Sequence, residues 1–415
     1  MKIFKNIMLM TALIAPLASQ AGGLMMTEVG TADIGLASAG YGARAQDPST
    51  LLSNPAGLTR LKGTQVQAGA QLLYGDMSFS SDSRTSPILG SDDGGNPVGL
   101  FPGASFFMSH ELSEQITFGF GIASNFGLSE SYDNNWQGRY YVQDATLLGI
   151  SALPSIAYKV NDQFSVGLTL NIMTGVFDLK LAIPRTAPGD GQLKLEKTTV
   201  GFGANVGFMY TPDSATRIGL TYTSPVRLDF NADADFSGLS SAEITALLNT
   251  RKIDMTVTVP QTVDLSAFYQ LDEKWALLGS LGWQDWSEFG YVEVNLNNIS
   301  GTVNAKLKDT YHAALGAQYR LDTPWVLNFG ASFDSGFQDT NYASPVLPAN
   351  AGWKVGTGIQ NISSENFEWG VSAEYQYSPE FYVNKTGGVP LGQGNLYGSY
   401  QPNVVVIGAN AIWKF

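Results

Sequence analysis

The feature that most limits what this chain can become is the placing of apolar residues at every second position, sustained over runs of about 9 to 13 residues and repeated along most of its length. In one run Phe164, Val166, Leu168, Leu170 and Ile172 alternate with Ser165, Gly167, Thr169 and Asn171. In others the apolar series are Tyr311, Ala313, Leu315, Ala317 and Tyr319, and Trp369, Val371, Ala373, Tyr375 and Tyr377. Strand side chains point to opposite faces in turn, so each run has one oily face and one polar face. Soluble sandwiches alternate too, but their strands usually hold ~5–6 residues. A tilted strand needs ~9–11 residues to cross a bilayer. Lipid offers backbone groups no water, so such strands must close on themselves.

Fourteen runs fit, starting near Thr64, Phe101, Gln115, Ala145, Gln163, Thr198, Thr216, Asp254, Lys274, Asp309, Trp325, Gly352, Phe367 and Asn403. Their connections alternate in length. Val160 to Asp162, Thr211 to Ala215, Leu271 to Lys274 and Leu321 to Pro324 are short, while Asp76 to Leu100, Ser129 to Asp144, Leu179 to Lys197, Asn231 to Arg251 and Ser378 to Tyr400 are long. Bacterial transmembrane barrels have even strand numbers, short periplasmic turns and long extracellular loops. The reading is an all-β, transmembrane antiparallel β-barrel of about fourteen strands over 64–415.

Composition removes the alternatives. There is no Cys and there are two His, His110 and His312, which excludes thiolate sites, cysteine nucleophiles and disulfides. A formal charge of −13 excludes a phosphate-tracking nucleic-acid binder. There is no Gly-x-Ser-x-Gly elbow, phosphate-binding loop or His-Glu-x-x-His, so no enzyme, cofactor or metal is expected. His312 shares a strand face with Gln318 and Arg320 and is read as a satisfied lumen residue.

Residues 1–21 read as a secretory signal peptide: Lys2 and Lys5, an apolar run from Ile7 to Leu17, then Ser19-Gln20-Ala21. That run is too short to span ~30 Å of hydrocarbon. The last strand ends at Phe415, with Val405, Ile407, Ala409, Ala411 and Trp413 on the same face. A closing aromatic of this kind looks like the signal that hands outer-membrane barrels to their assembly machinery. Together these features place the chain in the bacterial outer membrane, among its lipid and lipopolysaccharide.

Residues 22–63 do not alternate. About forty residues without a strand fit best inside the lumen as a plug; a periplasmic tail is the other reading. Leu36, Leu51, Leu52 and Leu58 favour the plug. In the third run Ile116, Phe118, Phe120 and Ile122 face lipid, Thr117, Gly119, Gly121 and Ala123 face inward, and the alternation breaks at Ser124-Asn125. Gly127 follows, where a strand can bend or simply stop. Ser240 to Glu243 forms a capping-box pattern, followed by Ile244, Leu247 and Leu248 on one helical face. That face either packs on a neighbouring loop or offers a landing groove.

Several of these segments, taken in order, resemble the FadL-type outer-membrane transporters of long-chain fatty acids and other hydrophobic compounds. They are Glu28, the Gly35 to Gly42 small-residue run, Asn54-Pro55-Ala56 with Gly57-Leu58-Thr59, Ser124-Asn125-Phe126-Gly127-Leu128, Trp136-Gln137-Gly138-Arg139, Trp283 to Trp286, Asp309-Thr310-Tyr311 and Phe415. The resemblance covers the whole mature chain, and Asn54-Pro55-Ala56 is its most specific element. It implies an N-terminal hatch in the lumen and a kink at Ser124 to Leu128 that opens a side window to lipid.

The function it implies is passive uptake of a long-chain fatty acid or similar compound by a monomer. The ligand is captured at Ile244, Leu247 and Leu248, bound near Leu24, Met25 and Met26, and released sideways after a hatch shift near Asn54-Pro55-Ala56. Arg139, then Arg320, are the candidates for a ligand carboxylate, with a loop-anchor role for Arg139 as the alternative. Strand parity sets Asp309 on the Tyr311 face unless a bulge intervenes. Uptake of aromatic hydrocarbons is the competing reading and a general porin the third. The Leu179 to Lys197 loop is short for the fatty-acid branch.

Overall fold

The computed structural model describes residues 25–185, 188–241, 243, 252–296, 299–322, 324–339, 343–346, 350–387 and 394–415. The leader reading at 1–21, Leu24, and the loop residues Ile244, Leu247 and Leu248 lie outside the described residues.

Among the described residues, fourteen antiparallel strands form the closed wall. They are β1 (Thr64–Asp76), β2 (Gly99–Glu111), β3 (Ile116–Ser131), β4 (Asp144–Ala152, resuming at Ser155–Lys159), β5 (Phe164–Ile183), β6 (Gly191–Tyr210) and β7 (Thr216–Thr223). The second half comprises β8 (Thr262–Gln270), β9 (Trp275–Gln284), β10 (Thr310–Arg320), β11 (Trp325–Asp334), β12 (Gly352–Asn361), β13 (Phe367–Tyr377) and β14 (Asn403–Lys414). Each strand pairs with its sequence neighbour, and β14 pairs with β1, from Gln65 opposite Lys414 to Asp76 opposite Asn403. At the closing corner Phe415 and Thr64 exchange backbone hydrogen bonds of 2.8 and 3.2 Å.

The alternation sorts as the period demands. Phe118, Leu170, Phe202, Leu315 and Ile407 are exposed on the outer face, whereas Gln67, Ser151, Thr169 and Asn328 are buried on the inner one. Lipid solvates the former, and Gln67, Thr169 and Asn328 find polar partners inside.

Two boundaries differ from the sequence reading. The expected loop from Leu179 to Lys197 is largely strand: β5 and β6 pair without interruption from Phe164 opposite Tyr210 to Ile183 opposite Gly191. Leu179, Leu181, Leu193 and Leu195 continue the alternation and bury together, so the apolar drive persists past the membrane. β5 ends at Ile183 and β6 begins at Gly191, with Pro184 and Gly189 between them. The run beginning at Asp254 is not wall either. Lys252–Val259 joins Val226–Asp233, Tyr291–Leu296 and Ile299–Asn304 in a separate four-stranded sheet, and β8 starts only at Thr262. Pro225 and Pro260 sit at the two breaks, and proline has no amide to carry a ladder across them.

Residues 25–63 fill the lumen, with helical turns α1 (Thr31–Gly35) and α2 (Thr50–Ser53) and a 3-10 turn Pro55–Arg60. Asn54 is fully buried. Its side-chain amide donates to the carbonyls of Gly42 at 2.7 Å and Phe208 at 3.1 Å, and its Oδ1 accepts from Ala56 N at 3.1 Å, capping the 3-10 turn. The wall makes room by omitting side chains: a Cβ at Gly167 would strike the Pro55 backbone, and one at Gly207 the Asn54 side chain. On the far side Gly330 and Gly356 receive the carbonyls of Leu36 and Ile34 in the same way. At Gly167, Gly330 and Gly356 the hatch backbone therefore packs directly on the wall backbone.

Candidate functional site

The wall has a local defect built from β2, β3 and β4. Along β4 the register of β3 shifts between Ser124 and Phe126, so Asn125 is bulged out. Gly127 has φ +147°, a conformation that a side chain disfavours. A Cβ there would lie 2.5 Å from Leu148 Cδ2 and 2.6 Å from the Leu147 carbonyl. Pairing between β2 and β3 runs only from Glu111–Thr117 to Ser105–Ala123. Beyond that, Gly99 to Ala104 pair with β1 alone and Phe126 to Ser131 with β4 alone. Pro102 stands on this open stretch, where an amide would lack a ladder partner. The strands meet again where Ser131 N donates to the Pro97 carbonyl at 2.8 Å. The break in Ser124 to Leu128 is therefore a kink with continuation, not a strand end.

A cavity of about 310 Å³ lies at this gap. Its lining includes Ile122 and Ile150, which are exposed on the outer face, together with Met26 and Glu28 from the hatch. Met26 N donates to the Asn125 carbonyl at 2.9 Å, and Met25 bridges to Phe126. The leading segment of the hatch is thus laid along the inside of the kink.

On the extracellular side of the kink the interior is apolar. Phe126, Phe177, Phe230, Trp286, Phe289 and Phe337 belong to one buried cluster, with Met25 and Leu128 packed on it. Ring centroids are 6.2 Å apart for Phe126 and Phe289, and 5.4 Å for Trp286 and Phe337. Trp286 and Phe289 sit on α3 (Trp286–Phe289), capped by Asp285. Asp309 accepts from Trp283 Nε1 at 3.1 Å and from Ser287 N at 3.2 Å. It fixes this helix against β9, which accounts for an aspartate at that position without requiring a ligand contact. Nothing in the alternation marks Phe289 and Phe337 as inner residues, because they lie between wall strands, Phe289 on α3 and Phe337 beyond β11.

The hatch brings its charges into the lumen in pairs. Glu28 meets Lys354 at 2.6 Å, both buried, and Gln376 donates to it at 3.3 Å. Burial alone would raise the Glu28 carboxyl, but Lys354 beside it holds it below the usual range. Arg44 joins Asp33 at 2.9 Å and Asp47 at 2.5 Å. Burial pushes Asp33 up to about 6 despite Arg44, whereas Asp47, buried too but bonded to both Arg44 and Ser49, is lowered. His312 is paired with Asp334 at 2.9 Å, in keeping with a satisfied lumen histidine.

The two arginine candidates are not brought together. Arg139 Nε donates to Asp190 at 2.8 Å and Nη1 to the Leu89 carbonyl at 2.9 Å, an arrangement that supports the loop-anchor alternative. Arg320 lies at the periplasmic end, on a second cavity. The capping box is formed: Ser240 N donates to Glu243 at 2.7 Å, and Arg185 clamps the same carboxylate.

Comparison with known proteins agrees with this geometry. The family model described as outer membrane protein transport protein (OMPP1/FadL/TodX) matches residues 11–415. Outer membrane protein P1 of Haemophilus influenzae is 26% identical over 92% of this chain and 89% of its own length. The long-chain fatty acid transport protein of Escherichia coli K12 is 25% identical over 90% of this chain and 92% of its own. Among solved structures, a Pseudomonas aeruginosa FadL homologue superposes with TM-score 0.85 at 19% identity, covering 94% of this chain and 99% of that one. The Pseudomonas putida toluene transporter TodX does so with TM-score 0.68 at 14% identity and the same coverage. The chain therefore belongs to the OMPP1/FadL/TodX family of outer-membrane transport proteins.

Proposed function

We propose that the protein carries hydrophobic compounds passively across the outer membrane, with a long-chain fatty acid as the first substrate class and an aromatic hydrocarbon as the second. The observation that carries this reading is the contact between the apolar interior cluster and the gap between β2 and β3, through Phe126, Leu128 and Met25. A ligand entering among the extracellular loops exchanges water for that cluster, at about 0.8 kcal/mol per CH2 buried. The hatch closes the straight route to the periplasm, so the ligand leaves sideways between Ala104 and Ser124 into the bilayer. Met25 and Met26 adapt to ligands of varied shape. The reading includes export through the 1–21 leader, assembly through Phe415 and function as a monomer.

Both classes are represented among the relatives by name, and the kink serves either. The test is uptake of labelled oleate and labelled toluene by cells lacking their own transporter, with and without this protein. Oleate uptake supports the first class and toluene uptake alone the second. Neither, together with leakage of small sugars, would replace the reading by a general porin.

A further inference from the structure

We propose that the periplasmic mouth of the lumen binds a small soluble anion, a carboxylate or phosphate, between hatch and wall through Arg60, Arg217 and Arg320. The three arginines line one cavity of about 560 Å³, bounded by hatch residues 45–47 and 60–62 and by the periplasmic ends of strands from β7 to β14.

The charge at this mouth runs against the rest of the molecule. The chain carries −13 overall, yet Arg60, Lys62, Arg217, Lys274, Arg320 and Lys414 all face this one space. Three of its cations are already matched: Lys62 with Glu111 at 2.7 Å, Lys274 with Asp322 at 2.6 Å and Lys414 with Glu368 at 2.5 Å. Asp47 is taken by Arg44. Glu365 is the remaining carboxylate of the lining. Among the described residues, Arg60, Arg217 and Arg320 have no carboxylate partner.

Arg217 is set for recognition. It is buried, its Nε and Nη2 donate to the carbonyls of Ala43 and Arg44 at 2.9 Å, and its guanidinium lies 3.6 Å over the Phe268 ring. These contacts fix the plane, and among the described residues Nη1 has no protein acceptor. A fixed guanidinium loses little freedom when it binds a planar oxyanion. Gln270, Gln318 and Arg320 project from inward strand faces, so a phospholipid in the surrounding leaflet does not reach them. The ligand comes from the periplasmic solution. Because Arg60 belongs to the hatch and Arg217 and Arg320 to the wall, an anion held among them ties the hatch in place.

This inference does not rest on the transport reading, and its test needs no uptake. The full mature chain, purified in a non-ionic detergent, is titrated calorimetrically with inorganic phosphate and separately with succinate, against sodium chloride at matched ionic strength. Saturable heat with either probe, and weakening by about tenfold in Arg60→Gln/Arg320→Gln, is the expected result. The two probes separate a phosphate from a carboxylate preference. Lys159→Gln, at a paired lysine outside this cavity, keeps the affinity. Heat-modifiable mobility on gels verifies that each variant is a folded barrel. Heats no larger than those of sodium chloride, or unchanged affinity in the double variant, overturn the proposal.

Discussion

The amide of Met26 donates to the carbonyl of Asn125 at 2.9 Å, and Asn125 is the residue that the β3–β4 ladder skips. A bulge leaves one backbone carbonyl without a strand partner, and here the hatch supplies the donor. The leading segment of the hatch and the gap in the wall are therefore one hydrogen-bonded unit. Displacing Met26 from the kink would strip the bulge of this partner.

Gly127→Val is expected to lower both oleate and toluene uptake to background. The new side chain meets Leu148 and the Leu147 carbonyl at a backbone angle that valine resists. Overpacking of this kind costs about 1–3 kcal/mol, too little to unfold a closed barrel. Gel mobility before and after heating separates lost transport from lost folding, and normal uptake by a folded variant would refute the window.

Closing the gap chemically gives a reversible version. The chain has no cysteine, so Ala104→Cys with Ser124→Cys places the only two thiols on opposite banks of the cavity. A short, cleavable bis-maleimide should abolish uptake, while either single variant treated alike should retain it. Uptake that survives complete cross-linking sends the ligand elsewhere.

Asn54→Ala tests the hatch. The substitution strands the Gly42 and Phe208 carbonyls and removes the cap of the 3-10 turn. Unpaired buried groups cost about 1–3 kcal/mol each. The expected phenotype is leakage of small sugars in liposome swelling with the barrel intact. Swelling indistinguishable from the parent would mean that other contacts hold the hatch alone.

The hatch also predicts a pH dependence. Asp33 is raised from an ordinary 3.8 to about 6, chiefly by burial. The folded state binds this proton more tightly, so the stabilisation is full below about 3.8 and is lost as pH rises through about 6. Glu28 and Asp47 act in the opposite sense: held low, they stabilise above their unfolded values and fail only in stronger acid. Asp33→Asn should flatten the slope between about pH 4 and 6, where each tenfold difference in proton affinity between folded and unfolded chain is worth ~1.4 kcal/mol. Protease sensitivity of the hatch in denaturant, followed across that range, measures it. An unchanged slope in Asp33→Asn assigns the dependence to another group.

Anchoring by Arg139 leads to a different expectation from ligand binding. Arg139→Ala frees Asp190 and the Leu89 carbonyl, so it should loosen the loops near them. Protease nicking at those loops should rise while the concentration for half-maximal oleate uptake stays unchanged. A large rise in that concentration would restore Arg139 as a carboxylate contact.

Period-two alternation was enough, by itself, to specify strands, their outward faces and a closed barrel, because in lipid each strand must expose an apolar side and satisfy its backbone laterally. Thr64, Thr216, Trp325, Gly352, Phe367 and Asn403 begin strands where the alternation begins. The break at Ser124-Asn125 and the glycine at 127 marked the place of the kink, but alternation alone left a bend and a strand end equally open. What alternation does not encode is which sheet a run joins. Lys252–Val259 and β6 have the same period as wall strands, yet the first belongs to a loop sheet and the second runs on past the expected loop, settled by prolines and by burial against distant leucines. The interior was still less legible. Glu28 finds Lys354, Asn54 finds Phe208 and Arg217 finds the carbonyls of Ala43 and Arg44 across 150 to more than 300 residues of sequence. Such partners share no local pattern. Only closing the wall around the hatch brings them within hydrogen-bond distance, so the hatch contacts and the charged periplasmic mouth belong to the tertiary structure.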